Sequence, residues 1–320
     1  MADRESAMKK KLLFGVKCII MLGIVILFCF QIVMPQYLNN YQASLIDKNE
    51  RLCSIEGPKI VLVGNSNLAF GIDSRAIEEA FGMPVVNMGM HGGVGNPFNE
   101  QAALQNVCEG DIVILSYSNF DDGDVIKNQE LAWITIENHP DLWKYIRPKD
   151  WPDMIKAYPT YLKDCLDLWS QGIGNKDSGD EYSRLQFNEY GDNIYDRPVL
   201  LQETDFSQVH IPQVGDATID RINELNAQLN EKGATLFMTA YPTPVCEYTP
   251  PREEYVAFSD QIEERLDCPL ISRYEDYMID KELFYNTYLH LNNEGVRVRT
   301  ELLIADLEKY LEQADKKTSE

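Results

Sequence analysis

The sequence predicts an α/β domain: a parallel sheet of five strands with helices on both faces, behind one apolar helix. Three observations predict it. Short apolar runs rich in β-branched residues alternate with helical patterns, which is the rhythm of a parallel sheet. Residues 12–34, "LLFGVKCIIMLGIVILFCFQIVM", carry a single lysine and no acid. One long segment, 121–215, interrupts the rhythm and holds all four tryptophans.

Taken in order, residues 1–11 read as a short tail. The 12–34 run would span about 35 Å as a helix, enough to cross a bilayer. Lys17 sits near one end, where it can snorkel toward the headgroups. Lys9, Lys10 and Lys11 precede the run, so the positive-inside rule puts the N-terminus in the cytoplasm and the bulk of the chain outside. A cleaved signal peptide is the alternative, but its apolar core is shorter and ends at a small-x-small site. Here the run ends "QIVMPQY", which favours an uncleaved single-pass anchor. Residues 35–56 are polar with scattered charge and read as a stalk or an exposed helix.

The domain is expected over 57–313, with 314–320 as a tail. Ile60 to Val63 is the first strand. A helix capped by Ser74 runs to about Phe81. "MPVVNMGM" is the second strand, "NPFNEQAALQNV" a helix with Pro97 in its first turn, and "DIVILSY" the third strand. After the insertion, "TIDRINELNAQLNEKG" places Ile219, Ile222, Leu225 and Leu229 on one face, with Gly233 as its terminator. "ATLFMTAYP" is the fourth strand, Arg252 to Leu266 a helix, "CPLIS" the fifth strand, and Asn293 to Gln313 the last helix. The insertion is too long for a structureless loop and reads as a helical cap. Its aromatics either pack that cap onto the sheet or, in part, line a glycan groove.

Net charge is −22, which disfavours nucleic acid or anionic headgroups as partners of the main body. The seven cysteines match no zinc spacing. Cys18 and Cys29 lie in the apolar run; Cys53, Cys108, Cys165, Cys246 and Cys268 lie outside it. Cys246 and Cys268 either pair or remain free. No metal or organic cofactor is implied.

Function is sought beyond the carboxyl ends of the strands, where open α/β sheets bind ligands. The first strand runs into "VGNS", a glycine turn presenting Ser66. A phosphate loop would want G-x-G-x-x-G or a Walker lysine, and neither is present. "VVNMGMHGGVG" follows the second strand and offers unobstructed amides to an oxyanion. "SYSNFDD" follows the third and adds the Asn119 amide. "FYNTYLHLNNEG" precedes the last helix and supplies His290 as a candidate base.

These four segments resemble the blocks of the SGNH, or GDSL-like, hydrolases. The resemblance implies a flavodoxin-like three-layer sandwich with a five-stranded sheet. It implies Ser66 as nucleophile, His290 as base, and an oxyanion hole from Ser66, Gly92 and Asn119, with Gly89 the weaker glycine candidate. Asn65 stands where aspartate is commonest, and Tyr117 where the third block usually has glycine. Asn65, Asn67 and His91 are candidate substrate contacts; for His91 a packing or solvent-facing role is the leading reading. Anchor and insertion together resemble the membrane-anchored branch that includes the teichoic acid D-alanyl transfer protein and the alginate O-acetylation proteins. That branch implies acyl transfer or ester cleavage on a cell-surface polymer, beside a membrane-bound O-acyltransferase. The alternative is an accessory protein that binds glycan or such a partner without turnover.

The family sets an aspartate three or four residues before the histidine; Thr287 and Asn286 hold those places here. An Asn286 oxygen could orient the imidazole without supplying charge. Three readings stay open. Asp276 or Asp280 substitutes, a Ser-His dyad suffices, or the site is impaired. His139 and His210 have no expected partners.

Overall fold

The structure is a computed structural model and describes residues 2–120, 123–137 and 139–318. Its main sheet has four parallel strands, β1 Ile60–Gly64, β2 Val85–Asn87, β3 Ile112–Ser116 and β4 Thr235–Met238, in the order β2-β1-β3-β4. β1 and β3 are buried along almost their whole length, as central parallel strands covered on both faces must be. The expected fifth strand is a correction. "CPLIS" reaches the sheet edge, but only one bridge, Met238 to Leu270, forms there. Pro269 removes one donor from the segment, and its carbonyl accepts from Met238 N while Ile271 N donates to Met238 O. Two further short strands, β5 Thr243–Val245 and β6 Met278–Asp280, pair parallel as a separate ribbon.

The helices, in chain order, are α1 Ala2–Phe28, α2 Ser44–Ser54, α3 Ser66–Ala69, α4 Ser74–Phe81, α5 Asn96–Asn106, α6 Gln129–Thr135, α7 Trp151–Gln171, α8 Asp216–Glu231, α9 Arg252–Arg265 and α10 Asn293–Thr318. Ile219, Ile222, Leu225 and Leu229 bury one face of α8. Gly233 takes the left-handed φ of 77° beyond its end, as expected of a glycine terminator. Asp73, not Ser74, caps α4, accepting from Arg75 N and Ala76 N; Ser74 instead donates to Asp192.

α1 is long and apolar enough to cross a membrane, and its side chains from Leu12 to Leu27 stand exposed. Residues 35–56 are not a stalk. A π-turn at Cys29–Val33 ends the apolar helix. Val33, Met34, Leu45 and Leu52 are then buried in the main core. Glu137 accepts from Gln36 N at 2.6 Å and Tyr37 N at 2.8 Å. Lys48 reaches inward to the Gly89 carbonyl; burial pushes its pKa down to about 7.

The insertion is a helical cap only in its first half. Trp133, Trp143, Trp151, Tyr158 and Tyr161 form a linked aromatic cluster there, which supports the packing role for these rings. Its second half is irregular and threads back along the sheet. Asn87 N donates to Tyr190 O, and Asn193 N to Ala69 O. The described cysteines are all free, including Cys246 and Cys268.

Candidate active site

Ser66 begins α3 immediately beyond β1. Gly64 is demanded by close approach, since an added Cβ would lie 2.3 Å from Ser116 O of the adjacent strand. It shows no left-handed φ, so the expected role in bending the chain gives way to strand proximity. Asn65 caps the turn, accepting from Asn67 N, and donates to Ser118 Oγ at 2.6 Å. Below the turn, the buried Arg299 donates to the Asn67 carbonyl, to Asn67 Oδ1 at 2.7 Å and to Ser116 Oγ at 2.9 Å. Asn67 is therefore a structural residue with no exposure, contrary to its expected substrate contact.

Two cavities meet at Ser66. One, of about 750 Å³, is walled by Asn65, Gly92, Asn96, Ser118, Asn119 and Lys127, among others. The other, of about 500 Å³, is walled by Tyr41, His91, Leu131, Ile134, Tyr182 and His290, among others. Ser66, Tyr288 and Leu289 belong to both. Nucleophile and base candidates 224 positions apart thus face one space, with no hydrogen bond between them in this structure.

The amides of Ser66 and Gly92 donate to no acceptor among the described residues, whereas Gly89 N is engaged by Asn87 Oδ1 at 2.9 Å. This singles out Gly92 over Gly89 as an oxyanion donor. A methyl group at Gly92 would meet nothing closer than 3.6 Å, so its role lies in the amide. Asn119 lines the same cavity. Tyr117 does not obstruct it, because its hydroxyl turns to the buried Glu100 at 2.9 Å.

His290 is 5% exposed and stacks on Phe70 with centroids 4.2 Å apart. Its Nδ1 lies 2.9 Å from Asn286 Oδ1. Asn286 Nδ2 donates to Glu181 Oε1 at 2.7 Å and to Tyr182 Oη at 2.9 Å. A flipped amide would set its oxygen against that carboxylate, so the network fixes the amide orientation. Nδ1 must then carry the proton, leaving Nε2 as the basic atom. Burial first, then the Arg197 guanidinium and His91, pushes the His290 pKa down to about 3. Arg197 also lies 5.3 Å over the Phe70 ring and donates to Leu291 O.

Among the described residues no carboxylate touches His290. Asp276 pairs with Arg252 at 2.8 Å and Asp280 caps the turn at Glu282 N. Neither replaces the missing aspartate, and Glu181 stands one residue further out, behind Asn286. His91 lines the second cavity with Nδ1 accepting from Gly93 N at 2.9 Å, so its Nε2 bears a proton. His210 lines the first cavity.

Sequence reasoning missed Tyr41, Glu181, Tyr182, Arg197 and Arg299. Only Tyr182, among the insertion's aromatics, carried any signal. No group of described residues is arranged to hold a metal ion. Comparison with protein-family models, with curated proteins and with solved structures returned no match.

Proposed function

We propose that this chain is a membrane-anchored acyltransferase or esterase of the SGNH type, acting outside the cytoplasm on acyl groups of a cell-surface glycan or polymer. The observation that carries the reading is the shared cavity wall of Ser66 and His290, with Nδ1 engaged so that Nε2 is the free base. The strand order, with Cys268–Ser272 bridging outside β4, supports a flavodoxin-like arrangement. The lysines before α1 support a cytoplasmic N-terminus, and a membrane-bound O-acyltransferase is the fitting neighbour.

In this mechanism Ser66 Oγ bonds to the acyl carbon while its proton passes to His290 Nε2. The carbonyl oxygen gains negative charge beside the amides of Ser66 and Gly92 and the side chain of Asn119. Collapse breaks the bond to the leaving oxygen, which takes the proton from Nε2. An incoming hydroxyl, from a sugar or water, then reverses these steps on the acyl-enzyme. The two cavities suit two reactants: amide and hydroxyl groups surround the first, while tyrosines and aliphatics line much of the second.

The imidazolium formed on the way meets an amide dipole rather than a charge. In serine proteases the comparable aspartate-to-asparagine change lowers turnover about 10⁴-fold. Turnover here is expected to be slow. The same feature favours a second reading, an accessory protein that binds glycan at an impaired site.

A fluorophosphonate probe applied to the full chain in detergent separates the two. Covalent labelling lost in both Ser66→Ala and His290→Ala supports chemistry. Absent labelling with retained polymer binding assigns the accessory role. The full chain is needed because Tyr41 and Gln42 wall the cleft.

A further inference from the structure

α7 and the end of the apolar helix share one surface. Phe28 meets Trp169 edge-on with centroids 5.6 Å apart. Beside them runs a groove of about 440 Å³ between Val25, Ile26 and Phe30 on one wall and Ile155, Tyr158 and Leu162 on the other. Along α7, Ile155, Leu162, Leu166 and Trp169 follow spacings of seven, four and three, which keeps them on one helical face. Ile155, Leu166 and Trp169 are 64%, 40% and 42% exposed. Met154, Tyr161 and Cys165 form the adjoining face and are buried against the domain. Lys156 and Lys163, both exposed, fall on the other flank of the stripe.

We propose that this stripe seats the domain on a lipid bilayer, lying in the interface beside the emerging N-terminal helix. The proposal rests on reading that helix as a membrane span. Val25 and Ile26 precede Val33 by eight and seven residues, roughly 11 Å along the axis. With the span beginning at Leu12, about 20 residues fill the hydrocarbon and carry it to the neighbourhood of Ile32. Side chains that face Val25 and Ile26 across the groove therefore lie at or below the headgroups. The bilayer is the favoured occupant because the groove's other wall is the span itself, so stripe and span form one continuous apolar surface. Apolar residues on one face with lysines at its margin are the pattern of a helix lying in an interface. The acidic net charge makes apolar burial, not charge attraction, the source of binding.

The full chain reconstituted in phosphatidylcholine vesicles tests this. The vesicles include lipid brominated near the top of the acyl chain, which quenches tryptophan on contact. Flotation after an alkaline wash reports the span independently. The expected result is flotation together with loss of the emission component that Trp169→Phe removes. Leu166→Asp should restore part of that emission while leaving flotation and circular dichroism unchanged. Flotation with Trp169 unquenched overturns the seat and leaves the span standing. Cross-linking of two copies through α7, again without quenching, overturns it in favour of a dimer. Failure to float overturns the span reading on which the seat rests.

Discussion

The two halves of the candidate site are held in different ways. Ser66 sits on a strand-turn-helix unit whose turn is locked from below by Asn67, Ser116 and Arg299. His290 sits on a loop and is held by a ring stack on Phe70 and by a chain of amide and carboxylate groups, Asn286 and then Glu181. The first half is backbone geometry reinforced by a buried cation. The second depends on side chains brought from the insertion. Damage to the first should cost stability, whereas damage to the second should cost rate with the fold intact.

The largest effect, common to both halves, is expected from Ser66→Ala and His290→Ala. Each should lower labelling or turnover about 10³-fold or more, measured on protein with unchanged circular dichroism. Arg299→Met tests the nucleophile side. It removes the buried donor shared by the Asn67 carbonyl, Asn67 Oδ1 and Ser116 Oγ, leaving Asn67 Oδ1 only the Ser116 hydroxyl, and a loss of about 2–4 kcal/mol in denaturant unfolding is expected. A variant as stable as the parent would contradict the locked-turn account.

Asn286→Ala tests the base side. With Nδ1 unheld, the labelling rate should fall about 10–100-fold, with little change in the unfolding midpoint. Glu181→Gln should act through Asn286 more weakly, by about tenfold or less. Asn286→Asp alone should not raise the rate, because the new carboxylate faces Glu181 where Nδ2 now sits 2.7 Å from it, and two such groups share a proton. Combined with Glu181→Gln, Asn286→Asp should raise the rate above that of either single variant. If Asn286→Asp gains as much by itself, Glu181 has no part in positioning the base.

The smallest effect expected is an absence of pH response. With a pKa near 3, His290 stays neutral and competent well below pH 6.5, so the labelling rate should show no inflection there. Stability carries the opposite mark. Between the unfolded value near 6.5 and about 3, the unfolded histidine takes up a proton that the folded one refuses. This group's contribution is complete above 6.5 and declines as pH falls through that window. Histidine titration followed by nuclear magnetic resonance would check the depressed value.

What could be read from the sequence follows the same division. Ser66 was legible because the strand runs directly into Gly-Asn-Ser and the alternation of elements names the sheet edge. Gly92 and Asn119 were legible as strand-end residues. The support of His290 was not, because Glu181 lies 105 positions from Asn286 in a segment without periodicity. The edge strand was overread. "CPLIS" has the apolar run of a strand, but Pro269 limits its ladder to a single bridge. Residues 35–56 look solvated in the sequence because their polar side chains find backbone carbonyls far along the chain, which no local pattern announces. Lys48 on the Gly89 carbonyl and Arg51 on the Val85 carbonyl are examples.

The wall formed by Asn40, Tyr41 and Gln42 bears on how the molecule can be cut. Gln42, Ala43 and Ser44 are themselves buried, so the wall is part of the folded domain and not an accessible linker to the apolar helix. A fragment that begins at Ser44 would therefore lack one side of its cleft. Fragments prepared for solubility should begin upstream of Met34.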